Sequence, residues 1–192
     1  MTEQAERMGT AKVFVVGYGN PLRGDDGVGQ AVAQVVARQR GHLPVLAGTD
    51  VMCAHQLVPE MALNLSRASF AVFVDAASDR RPAGTVTLRR LTAPASQAGR
   101  TVATGAGCWE DFSPEGLMGL ALELYGNAPP AALVTVGVAG TDLGSALSPA
   151  VRLAVPRAAA AVRLAIAAGT CARRAHRPRS ESAKTKGRGH HA

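Results

Sequence analysis

Two consecutive acids, Asp25 and Asp26, lie in a glycine-rich stretch that reads GYGNPLRGDDGVG over residues 17–29. Such a turn between a strand and a helix often cradles a phosphate, because backbone N–H groups and a helix N-terminus favour an anion. The dinucleotide-binding form requires glycine at the third position of G-x-G-x-x-G, and that position here is Leu22. Two carboxylates at a helix start would repel a pyrophosphate, sit well against the helix dipole and suit a cation. Capping needs one acid, so one of the pair is expected to cap the helix and the other to be available for chemistry. A further acid, Asp75, ends the apolar run FAVFVD at 70–75. Acids at the carboxyl ends of strands lie where open α/β sheets bind ligands.

The elements that must position these acids alternate. KVFVV at 12–16 is a β-branched run expected to form a buried strand, and Val28, Ala31, Val32, Val35 and Val36 place a helix at 27–39. A short strand is expected at 44–47, a helix at 55–66, a buried strand at 70–75 and an edge strand at 85–90. Ser113-Pro114-Glu115 is a helix start, with an N-cap hydroxyl, proline in the first turn and an acid behind it. Leu117, Leu120, Ala121 and Leu124 form its apolar stripe, and Gly126-Asn127 stop it. A strand at 132–138 and a last helix from Ser148-Pro149, kinked or restarted at Pro156 and ended by Gly169, complete the chain. This alternation predicts an α/β fold, a three-layer α/β/α sandwich with a twisted, mostly parallel sheet.

Charge is unevenly distributed. The net charge of the 192 residues is +7, but 171–192 carry seven Lys/Arg against Glu181 alone, so the rest of the chain is close to neutral. The expected organisation is a flexible N-terminus at 1–10, one domain at 11–170 and a disordered basic tail at 171–192. That tail is read as a solvated extension rather than a nucleic-acid-binding arm. Three scattered cysteines form no disulfide framework. The start has no apolar signal core, and no run is long enough to span a bilayer, so a cytoplasmic protein is expected.

The residues at 15–29, VVGYGNPLRGDDGVG, closely resemble the N-terminal signature of the [NiFe]-hydrogenase maturation endopeptidases. The resemblance extends through FAVFVDAAS (70–78), FSPEGLMGLALELYG (112–126), the ALVTVGV strand and LSPAV (147–151). It implies a twisted, mostly parallel sheet between helices. It also implies removal of a C-terminal extension from the hydrogenase large-subunit precursor after nickel is installed. The nickel travels with that precursor, although an isolated protein of this kind could hold another divalent metal. The family's first two metal-recognising acids fall on Asp26 and Asp75, which the resemblance also implicates in catalysis.

The third family position is a histidine a few residues before the SPEGL helix. Aligned on that motif, it falls on Glu110, beside Trp109 and Asp111, and no histidine lies between His55 and His176. Three readings are open: Glu110 ligates in its place, His55 enters from another loop, or the metal site is degraded. The last would make the chain a non-catalytic binder of a hydrogenase subunit. An all-oxygen site of Asp26, Asp75 and Glu110 would be harder than one with imidazole. His55-Gln56-Leu57 resembles the box of the branch serving bidirectional, NAD-coupled hydrogenases, which is implicated in choosing the large subunit. A surface histidine at a helix start is the plainer reading. No Ser-His-Asp or Cys-His arrangement fits this family context, so metal-assisted or carboxylate-assisted hydrolysis is expected, by a monomer.

Overall fold

The structure, a computed structural model, describes residues 13–78, 81–92 and 113–175. Five strands form one sheet: β1 (Val13–Tyr18), β2 (Thr49–Ala54), β3 (Phe70–Ala77), β4 (Val86–Leu91) and β5 (Ala131–Gly137). Their order is β2-β1-β3-β5-β4. The first four in that order pair in parallel, and β4 closes the edge antiparallel to β5. Helices α1 (Val28–Gln39) and α4 (Pro149–Ala175) cover one face; α2 (Met61–Ser66) and α3 (Pro114–Tyr125) cover the other. The three-layer α/β/α architecture is therefore the one the alternation predicts.

Strand parity builds the two cores. Val13, Val15, Val72, Val74, Val134 and Val136 face α1 and α4, whereas Phe14, Val16, Ala71, Phe73 and Leu133 face α2 and α3. The central strands are apolar on both faces, as strands buried between two helix layers must be. Packing α1 this closely relies on two glycines. A Cβ on Gly29 would lie 2.5 Å from the Val74 carbonyl oxygen and overlap that of Tyr18, and one on Gly17 would lie 2.7 Å from Ala33 Cβ and overlap the Gly29 carbonyl. Helix α3 begins as expected: the Ser113 hydroxyl accepts from Gly116 N at 3.0 Å, and Gly126 ends it in the left-handed conformation.

Several elements differ from the sequence reading. Residues 44–46 form a 3-10 turn, not a strand, because Pro44 fixes φ at the first turn position. The second strand is instead Thr49–Ala54. The helix expected from 55 starts at Met61: Pro59 disfavours helical backbone in the residue before it, leaving 55–58 as loop. Strand β1 runs on through Tyr18, and β3 through Ala77. Helix α4 is continuous through Pro156, whose ring lies on the exposed side, and passes Gly169 to reach Ala175. Gly169 packs against the Phe70 ring and does not stop the helix. Among the described residues, no helix is long and apolar enough to cross a membrane.

Candidate functional site

The connection after β1 enters α1 and returns to β2 on one side; the connection from β2 passes through α2 to β3, on the other side of β1. The carboxyl ends of β1 and β3 therefore flank a topological switch point, where the loops diverge and leave a crevice. Asp26 sits in the 3-10 turn Gly24–Gly27 that follows β1, and Asp75 stands near the end of β3.

Register explains why Asp75 has polar company. On the face of Phe14, Val16, Ala71 and Phe73, the next position outward is Tyr18 on β1 and Asp75 on β3. Asp75 pairs with Thr135 of β5, and Thr135 with Thr87 of β4. The apolar face thus ends in a polar row, Tyr18–Asp75–Thr135–Thr87, at the carboxyl end of the parallel strands. The Thr87 and Thr135 hydroxyls lie 2.7 Å apart, and the Arg81 guanidinium donates to both, at 2.7 and 3.2 Å. The Tyr18 hydroxyl donates to the Asp75 carboxylate, which also accepts from Ala76 N at 2.8 Å.

Burial pushes the Asp75 carboxyl up to about 6; the Tyr18 and Ala76 hydrogen bonds oppose the rise, and the negative charge of Asp26 adds to it. Burial, then the charge and hydrogen bond of Asp75, lift the Tyr18 phenol well above its ordinary value, so it stays protonated as a donor. Replacing Tyr18 by Phe removes the principal hydrogen bond favouring the ionised form. The Asp75 carboxyl of Tyr18→Phe is thus expected to titrate at higher pH than the parent's, and that of Asp26→Asn slightly lower. Carboxyl carbon NMR on the metal-free proteins reads both; a midpoint unmoved by Tyr18→Phe would refute the contact.

The two neighbouring acids of the turn have separate environments. Asp25 is only 1 % exposed and takes hydrogen bonds from Ala139 N (2.8 Å), Ser148 N (2.6 Å) and Ser148 Oγ (2.9 Å). Burial alone would raise its carboxyl, but these bonds outweigh it and hold the group below the ordinary range. Asp25 does not cap α1; it secures the loop leading into α4. Asp26 is half-buried, and its Oδ2 accepts from Asn20 N at 2.7 Å. Neither acid makes a side-chain cap bond to α1, which starts from Gly27.

The structure thus brings Asp26 and Asp75 within electrostatic reach of each other. Glu110 and the tail residues 176–192 lie outside the described residues. Among the described residues, no three His, Cys, Asp or Glu side chains gather as a metal cluster. His55 borders the glycine-rich turn through its carbonyl, which accepts from Gly19 N at 3.2 Å; its side chain and that of Gln56 are exposed. Leu57 is 2 % exposed and packs with Met61 and Leu65, so only His55 and Gln56 of that box are open to a partner. The apolar run that marks β1 stops at Val16, two residues short of Tyr18. The signal was there in parity: Tyr18 continues the Phe14–Val16 face.

Neither a family model nor a curated protein matches the sequence. Solved structures do match the fold. The Escherichia coli hydrogenase maturating endopeptidase HybD superposes with a TM-score of 0.57 at 20 % identity, over 79 % of this chain and 89 % of that one. The [NiFe] hydrogenase maturation protease HycI from Thermococcus kodakarensis KOD1 gives 0.57 at 18 %, over 83 % and 95 %. A hydrogenase 2 maturation peptidase from a Thaumarchaeota archaeon gives 0.57 at 21 %, over 81 % and 98 %. The chain has the fold of these hydrogenase maturation endopeptidases.

Proposed function

We propose that this protein is a maturation endopeptidase that removes the C-terminal extension of a nickel-loaded [NiFe]-hydrogenase large-subunit precursor in the cytoplasm. The observation that carries the reading is the pairing of Asp26 and Asp75 across the switch point of a fold shared with such peptidases. Two adjacent carboxylates without a proton between them repel, and a cation placed against both relieves that repulsion. Hard oxygen donors of this kind fit a divalent ion.

The nickel belongs to the substrate. Asp26 and Asp75, with Glu110 as a third donor, hold the precursor's metal-bearing end in the crevice and so place the scissile peptide beside them. A carboxylate then serves as general base toward the attacking water. Asp75, pushed up to about 6 in the metal-free protein, is still ionised at neutral pH and so meets the precursor's metal as a full charge. Tyr18 keeps its carboxylate oriented.

The test is incubation of the purified protein with nickel-loaded precursor, read as a shortened large subunit on a gel and by mass. The parent is expected to cut, and Asp26→Asn to slow cutting by about a hundredfold or more, the scale on which loss of a catalytic group acts. Glu110→Gln is expected to weaken capture of the nickel-loaded end. A parent that binds precursor without shortening it would instead make the protein a non-catalytic binder. Full cutting by Asp26→Asn would remove that residue from the site.

A further inference from the structure

Two of the most exposed large apolar residues belong to loops at the carboxyl end of the parallel strands, the end that holds Asp26 and Asp75. Leu22 is 63 % exposed and Leu143 80 % exposed. They come from opposite parts of the chain, the turn after β1 and the loop between β5 and α4. Their backbones are joined: Gly144 N donates to the Leu22 carbonyl at 2.7 Å, Gly24 N to Ser145 O at 3.2 Å, and Asp25 N to Gly140 O at 3.1 Å. The Asn20 side chain fixes Leu22 further by accepting from its N–H at 2.9 Å, while Asn20 N donates to Asp26. Leu22 is thus connected to the site carboxylate through one residue.

A loop stapled this thoroughly has few ways to fold its leucines inward, and it holds both in water, where apolar surface is costly. Other exposed leucines, such as Leu153 and Leu164, sit on the outer side of α4 away from the site. Preorganised apolar side chains beside a site bind a partner with little ordering cost, and such anchors carry much of an interface's affinity. Arg23 and Pro21, which flank Leu22, are also exposed.

We infer that Leu22 and Leu143 form a fixed apolar clamp for an apolar stretch of the polypeptide substrate next to the bond being cut. The occupant is a polypeptide because the clamp is continuous with the carboxylates proposed to act on one. This inference rests on the function proposed above. The clamp supplies binding that is equal in ground and transition states, so it sets KM rather than kcat.

The test uses the full-length protein carrying Leu22→Ser and Leu143→Ser together, with nickel-loaded precursor as the probe. The double variant is expected to fold, since both side chains are exposed; an unchanged melting temperature checks this. Its KM is expected to rise at least tenfold with kcat within about twofold of the parent. A parental KM in the folded double variant overturns the clamp and leaves the peptidase reading intact. A parent that does not cut overturns both. A parental dimer that the double variant dissolves into monomers also overturns the inference, by giving the surface to a second copy of this chain.

Discussion

Asp75→Asn is expected to be more heat-stable than the parent at neutral pH while cutting no detectable precursor. The stability gain follows from the sign of the Asp75 shift. Its carboxyl rises from an ordinary 3.8 to about 6 in the folded chain, so folding disfavours its ionised form. The resulting cost is absent below about pH 4, grows between about pH 4 and 6, and is present in full above that. Asparagine carries no charge at any of these values, and its side-chain oxygen can still accept from Ala76 N. The expected gain is about 1–3 kcal/mol near pH 7, a rise of roughly 3–8 °C in melting temperature. Near pH 4 the two proteins should melt together. Thermal melts of the metal-free proteins at both values measure this, and equal melting at neutral pH would show that Asp75 is not held against its own ionisation. The loss of cutting follows because asparagine neither accepts a proton nor offers a full charge to the precursor's metal. A site residue whose removal stabilises the fold is the usual mark of function held at the expense of stability.

Gly29→Ala is expected to abolish folding. Its Cβ would meet two backbone carbonyls, those of Tyr18 and Val74, and neither strand can retreat without breaking the central pairing of β1 with β3. Gly17→Ala meets the reciprocal obstacle on α1. Overpacking against fixed backbone belongs to the most damaging class of substitution, on the order of 4 kcal/mol or more, a large part of a small domain's whole stability. Gly41→Ala provides the control: nothing lies within 4 Å of its Cβ, and a change within about half a kcal/mol is expected. Urea unfolding of the three proteins separates them. A Gly29→Ala chain with the parental midpoint would mean that α1 does not pack as closely on the sheet as described.

The parts of the fold legible from residue order were those with one dominant cause. Buried central strands are continuous apolar runs, and β1, β3 and β5 were readable as such. Helix α3 carried its own start and stop. Strand β2 has one neighbour only, and its TDVMCA sequence mixes exposed Asp50 and Cys53 with half-buried residues. It gives no apolar run, so pattern alone favours the more hydrophobic 44–47, where Pro44 in fact opens a 3-10 turn. Gly169 and Pro156 suggested breaks in α4 that tertiary packing overrides. At the site, the acids were visible by type, but their division of labour was not. Asp25 is committed to partners 114 and 123 residues away, a fact that no local pattern contains. Tyr18 required the register of β1 against β3, which is a property of the sheet.

The long reach of Asp25 also governs the order in which the molecule can be made. The partners of Asp25, Ala139 and Ser148, leave the ribosome long after the glycine-rich turn does, and β5 must insert between β3 and the earlier-made β4. Until then the turn lacks the anchor that sets Asp26 toward Asp75, and a buried carboxylate has nothing to bond. Domains assemble as units during synthesis, and this one cannot finish its crevice before the chain through Ser148 has emerged. A nascent chain that stops short of Ser148 therefore lacks the contacts that hold the turn, and gains them in one step.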